Sequence, residues 1–95
     1  MSKVIVISNE KGGVGKTTTV LECAYHAANN LNLSCLVVDL DAQANATKML
    51  TGSEHVPSLF DVMVGQADIF SVLKSTGKEW GKTICLPADR RLNML

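Results

Sequence analysis

The sequence predicts an α/β protein built on a parallel sheet, and three observations carry that prediction. Val4-Ile5-Val6-Ile7 is an uninterrupted β-branched run, the pattern of a strand buried on both faces of a parallel sheet. A glycine-bearing loop, Ser8 to Gly15, then leads into a stretch with helical periodicity. A second apolar run, Leu33 to Val38, closes the unit and ends at Asp39. Strand, loop, helix and strand in this order make a βαβ unit, whose crossover is right-handed in nearly all proteins.

The helix is read from its stripe. Val20, Cys23, Ala24, Ala27, Ala28 and Leu31 recur at one helical face, with Thr19, Glu22, His26, Asn29 and Asn30 on the other. This predicts an amphipathic helix of about 15 residues starting at Lys16, whose small Cys and Ala side chains let it lie close to a sheet. Asn29-Asn30 and Asn32 supply its stop. Beyond Asp41 the signals are shorter. Ala44 to Leu50 reads as a helix stopped by Gly52, and Ser58 to Val64 as another between Pro57 and Gly65. Ala67 to Lys74 reads as a third. Lys82 to Leu86 is the third strand, ended by Pro87, and Arg90 to Leu95 begins a further helix. No repeat, low-complexity tract or linker interrupts the chain, so one domain is expected.

Composition narrows the class. At 46% hydrophobic and 19% charged, the 95 residues carry too much apolar content for a disordered tail. No apolar stretch reaches the roughly 20 residues of a membrane span, and Met1 to Ile7 lacks the cleavage site of a secretory signal. Cys23, Cys35 and Cys85 are odd in number, widely spaced and set among apolar residues. They are expected to be buried thiols in a reducing, cytoplasmic setting, with neither disulfide nor zinc. Net charge is zero but uneven: residues 1–16 and 74–95 are net basic, and 17–73 net acidic. The basic tail is too dispersed to make a nucleic-acid face and reads as solvated surface.

The strongest chemistry lies in Lys11-Gly12-Gly13-Val14-Gly15-Lys16-Thr17-Thr18, between strand and helix. Glycines let the backbone curl and approach a phosphate with no Cβ in the way. Successive N–H groups then point inward as an anion nest, reinforced by the positive end of the following helix. Lys16 is the candidate to bridge the β- and γ-phosphates, and the Thr17 hydroxyl to ligate magnesium. The generic pattern G-x-x-x-x-G-K-[ST] requires glycine at position 10. This chain has Glu10 there and a second lysine at position 11.

Asn9 to Thr18 resembles the deviant Walker A motif of the ParA/MinD family of P-loop ATPases. Val38-Asp39-Leu40-Asp41-Ala42-Gln43-Ala44-Asn45-Ala46-Thr47 is similar to the family's second motif, V-D-x-D-P-Q-x-N, with Ala42 in place of its proline and Ala44 in place of its frequent glycine. Pro57 to Met63 and Leu86-Pro87-Ala88 resemble later segments. The resemblance implies a P-loop NTPase-like, doubly wound parallel sheet, of which residues 1–95 form the N-terminal, incomplete part. The later aspartate-bearing strand, base-recognition segment and basic DNA-contacting surface of the family would lie past Leu95.

The resemblance also implies ATP and Mg2+ as cofactors and a homodimer formed through bound ATP. Lys11 would reach the partner's phosphates and do the work of an arginine finger. Asp41 would position the attacking water, and Asp39 would sit near the magnesium, directly or through its waters. Asn9-Glu10 before the lysine, and the run Asp41 to Asn45, favour the ParA-type partition branch. That branch implies plasmid or chromosome partition with a centromere-binding partner protein and non-specific DNA, and no membrane. The alternatives are a MinD-type membrane-positioning ATPase and a nucleotide-binding module without hydrolysis.

The remaining residues read as structural. His26 on a polar helix face and His55 in a loop lack partners at ligand spacing. Cys23 and Cys35 are expected as core fillers, and Trp80 has no readable context.

Overall fold

The computed structural model describes residues 3–8 and 15–94, with side chains for 5–8 and 18–94. Strand β1 (Lys3–Ser8), helix α1 (Gly15–Asn29) and strand β2 (Ser34–Asp39) form the expected βαβ unit. β1 and β2 are parallel, in register from Lys3 opposite Ser34 to Ser8 opposite Asp39. Three short helices follow, α2 (Asn45–Thr51), α3 (Leu59–Met63) and α4 (Ile69–Val72). Strand β3 (Lys74–Ser75) runs antiparallel to β4 (Thr83–Leu86), and β4 pairs in parallel with the free side of β2. The sheet order is β1-β2-β4-β3.

Alternating strand residues feed two cores, as the two-residue period of a strand requires. On one face Cys35 and Val37 of β2 and Cys85 of β4 pack with Leu21 and Ala24 of α1 and Ala46 and Leu50 of α2. On the other, Leu36, Val38 and Leu86 meet Leu59, Val62, Val72 and Leu73. Helices on both faces of a largely parallel sheet make the doubly wound, P-loop NTPase-like architecture that the sequence predicts.

Four expectations need correction. The stripe of α1 is rotated: Leu21, Ala24, Ala27 and Ala28 are buried, whereas Cys23 is exposed and Leu31 is 55% exposed. The cause is α2 and Trp80, which flank α1 on the Leu21 side and widen the buried stripe there; Leu31 lies past the helix end. β1 is not covered on both faces. Val6 packs on the first core, while Ile5 and Ile7 are 68% and 58% exposed on the second. The predicted helix over 67–74 shrinks to α4, because Leu73 turns extended (ψ 140°) and Lys74 pairs with Cys85 as an edge strand. The helix begun at Arg90 is a 3-10 helix over Arg90–Met94.

Local chemistry sets the ends of the short elements. Ser58 and Asp61 form a reciprocal capping box at the start of α3. The Asp68 side chain accepts the Phe70 N–H at 3.1 Å at the start of α4. Gly52 takes the left-handed conformation at the end of α2 (φ 90°) and donates its N–H to Lys48 O at 2.8 Å. A 3-10 helix at Lys78–Trp80 brings Trp80 against the first core, edge-on to Tyr25 with ring centroids 5.9 Å apart. The Asn29 side chain ties α1 to this segment by donating to Glu79 O at 2.8 Å.

Candidate nucleotide site

The site is assembled at the C-terminal ends of β1 and β2, where open α/β sheets bind ligands. Ser8 and Asp39 are the last register pair, and the Leu40 N–H donates to Ser8 O at 2.7 Å, so the strands end level. Residues 9–14 connect Ser8 to the first turn of α1. Lys11, Gly12, Gly13 and Val14 lie outside the described residues. Gly15, Lys16 and Thr17 form the first turn of α1, their side chains outside the description, and Thr18 follows with its side chain exposed. Any helix leaves its first four N–H groups without intrahelical acceptors. The lysine- and glycine-rich segment therefore leads into an end suited to phosphate.

Asp39 closes β2 with no solvent exposure. Its Oδ1 accepts the Asp41 N–H at 3.0 Å, and its Oδ2 accepts both the Thr47 N–H at 2.9 Å and the Thr47 hydroxyl at 2.6 Å. Burial pushes the Asp39 carboxyl above the usual carboxylate range, against the pull of these hydrogen bonds. Asp41 is 6% exposed and organises the following turn. Its Oδ1 accepts the Gln43 N–H at 3.0 Å and its Oδ2 the Asn45 side-chain amide at 3.1 Å. The second motif is thus a run of carboxylate-anchored turns delivering the chain into α2. Asp39 and Asp41 are joined by the Asp41 N–H to Asp39 Oδ1 bond.

Position 44 explains a feature of the motif. Ala44 caps α2 in the left-handed conformation (φ 57°, ψ 36°) and is fully buried. Glycine adopts that conformation without a Cβ penalty, which accounts for the family's frequent glycine there. The turn survives alanine because Asp41, Asn45 and Thr47 pin it from both sides.

Three features escaped sequence reading. Thr47 is fully buried and accepts the Ala88 N–H at 3.0 Å, joining α2 to the chain beyond β4. Its position inside the second motif was the available signal. The Ser8 hydroxyl, 1% exposed, has no hydrogen-bond partner among the described residues. Arg91 forks onto Asp61 (3.1 and 2.5 Å) and Asp89 (3.0 and 2.7 Å), and its guanidinium lies 4.6 Å from the Phe60 ring centroid. The Ser58 hydroxyl also donates to Asp89, at 2.5 Å. The spacing Ser58-x-x-Asp61 announces the cap but not the arginine. Cys85 is buried, its thiol pushed up to about 12 by desolvation, and Cys35 is raised for the same reason, so both are inert fillers.

The donor set suits a magnesium–phosphate group. An orphaned buried hydroxyl at the end of β1 and two carboxylates at and just past the end of β2 are oxygen donors of the kind a hard divalent cation takes.

The fold is P-loop NTPase-like, and in sequence the segment between β1 and α1 is rich in lysine and glycine. The chain belongs to the AAA_31 family, described as an AAA domain, whose family model matches residues 2–94. The chromosome-partitioning ATPase Soj of Thermus thermophilus is 52% identical over 88 residues, covering 84% of this chain and 34% of that protein. The sporulation initiation inhibitor protein Soj of Bacillus subtilis is 40% identical over 82 residues, covering 83% of this chain and 32% of its own length. Among solved structures, cobyrinic acid a,c-diamide synthase of Mycobacterium smegmatis, with bound ATP analog and magnesium, superposes with a TM-score of 0.77 at 33% identity. That match covers 98% of this chain and 36% of the other. The chain spans about a third of the length of these relatives, and the ParA-type resemblance of its motifs extends along nearly all of it.

Proposed function

We propose that this chain is the N-terminal part of a ParA-type partition ATPase that binds ATP with Mg2+ and dimerises around the nucleotide. The observation that carries the reading is the level ending of β1 and β2. It puts Asp39 beside the origin of the lysine- and glycine-rich loop, with Asp41 two residues on. In this reading Gly12 to Thr18 cradle the phosphates, Lys16 meets the β- and γ-phosphates, and Thr17 and Asp39 hold the magnesium. The metal supplies charge neutralisation on the phosphates. Asp41 orients water, and Lys11 reaches the partner's nucleotide. Hydrolysis would then dissolve the dimer during plasmid or chromosome partition in the cytoplasm, with a centromere-binding protein and DNA as partners. Two observations support the reading: relatives named as chromosome-partitioning ATPases, and a structural neighbour with an ATP analog and magnesium. Among the described residues no helix is long and apolar enough to cross a membrane.

Calorimetry of Mg2+·ATP binding to the protein and to Lys16→Ala tests the site. Binding by the parent and its loss in the variant are expected, since the charge that meets the phosphates is removed. Equal affinity in both would overturn the assignment.

A further inference from the structure

We propose that Thr47 is a positioning residue that sets both carboxylates of the candidate site; its role toward magnesium rests on the reading above. One hydroxyl serves three partners, donating to Asp39 Oδ2 at 2.6 Å and accepting the Ala88 N–H at 3.0 Å and, weakly, the Cys85 thiol at 4.0 Å. The Thr47 N–H adds a second bond to the same Asp39 oxygen at 2.9 Å. Thr47 therefore ties the end of β2, the first turn of α2 and the chain beyond β4 at one atom.

The consequence runs onward to Asp41. With Oδ2 occupied twice by Thr47, the Asp39 carboxylate has one orientation, and Oδ1 faces the Asp41 N–H at 3.0 Å. That bond starts the turn in which Asp41 holds Gln43 and Asn45. Removing the hydroxyl takes one of three donors from the Asp39 carboxylate, loosening its orientation, and leaves the buried Ala88 N–H unpaired. Thr47 is fully buried, and among the described residues its hydroxyl is engaged by Asp39, Cys85 and Ala88. Its effect passes through Asp39 and Asp41, as an outer hydrogen-bond partner orients a metal ligand.

Three proteins decide it: the parent, Thr47→Val, which keeps the shape and loses every bond of the hydroxyl, and Thr47→Ser, which keeps the hydroxyl. Amide hydrogen exchange needs no nucleotide. In Thr47→Val, protection at Asp41 and Ala88 should fall while α1 and β1 keep theirs, and Thr47→Ser should restore it. The Mg2+ concentration needed for half-maximal ATP binding should rise about tenfold in Thr47→Val, with metal-free ADP affinity unchanged and Thr47→Ser within about twofold of the parent. Unchanged exchange at Asp41 and Ala88 in Thr47→Val would overturn the proposal. So would a uniform loss of protection, or a Thr47→Ser protein behaving like Thr47→Val. If exchange responds as expected but the parent binds no Mg2+·ATP, the reading of the site as a nucleotide site fails and the positioning of Asp39 by Thr47 stands.

Discussion

Ser8 and Asp39 face each other as the final register pair of two parallel strands, both almost wholly buried on the side of the sheet that α1 covers. The pairing places a carboxylate at the point where the lysine- and glycine-rich segment leaves the sheet. It also separates two roles that sequence spacing alone leaves merged. Asp39 accepts three protein donors, one on Oδ1 and two on Oδ2, whereas the Asp41 carboxylate, two residues on, accepts from Gln43 and Asn45 of its own turn.

The proposed roles of Asp41 and Lys11 predict different phenotypes in the full-length protein. Asp41→Ala should bind ATP and dimerise while losing most turnover, since its proposed role, orienting water, acts in the chemical step. Lys11→Ala should weaken the ATP-dependent dimer, because its proposed partner is the other subunit's phosphate. Sedimentation with ATP, paired with phosphate-release kinetics, reads both. Two monomeric variants, or two fully active ones, would refute the division.

How legible the site was depends on the range of the interactions. The strand at Val4 to Ile7 and the helix after Lys16 follow from local runs and stand where expected, and Asp39 and Asp41 were singled out by a local motif. The face of α1 did not, because a helical wheel shows which residues are apolar but not that α2 and Trp80 would draw in Leu21 and leave Cys23 exposed. An unbroken apolar run such as Val4 to Ile7 states that both faces tolerate burial, yet cover for Ile5 and Ile7 is a property of other elements. Thr47 and Arg91 were illegible for a related reason: their partners Ala88 and Asp61 lie 41 and 30 positions away.

The left-handed Ala44 predicts an inverted glycine effect. Replacing a buried alanine by glycine in a helix interior costs about 2 kcal/mol, from helix propensity and lost methyl burial together. Ala46→Gly, fully buried inside α2, should show that loss. At Ala44 the relief of the left-handed conformation returns about 1–2 kcal/mol, so Ala44→Gly should stay within about 1 kcal/mol of the parent. Denaturant midpoints of the two variants check it. Equal destabilisation would show that the Ala44 backbone carries no strain.

The uncovered side of the sheet predicts association of the 95-residue polypeptide. Ile5 and Ile7 of β1 and Ile84 of β4, the strands on either side of β2, are 68%, 58% and 44% exposed, and an apolar sheet surface of this kind is a site for chain pairing. Sedimentation velocity at rising concentration should show self-association, and Ile7→Lys should shift the polypeptide toward monomer. A monomer at about 100 μM with a cooperative thermal transition would sink the prediction.

The final prediction concerns acid. The Arg91 guanidinium, with help from the Ser58 hydroxyl, holds the Asp89 carboxyl down to about 2, and it also lowers Asp61; the two carboxylates in turn raise Arg91. A carboxylate depressed in the folded state contributes stability that is fully present above its unfolded value near 3.8, and this is lost as pH falls toward 2. The network joins the cap of α3 to the segment beyond β4, so its loss should loosen that joint. Arg91→Met should therefore lower the thermal midpoint at neutral pH, and the gap to the parent should close between about pH 4 and pH 2 as the carboxylates protonate. Arg91→Lys should fall between the two, because an ammonium keeps the charge but cannot fork onto both carboxylates. Midpoints measured across this range decide it. A gap that persists unchanged to pH 2 would mean that Arg91 acts through its packing on Phe60 rather than through Asp89 and Asp61.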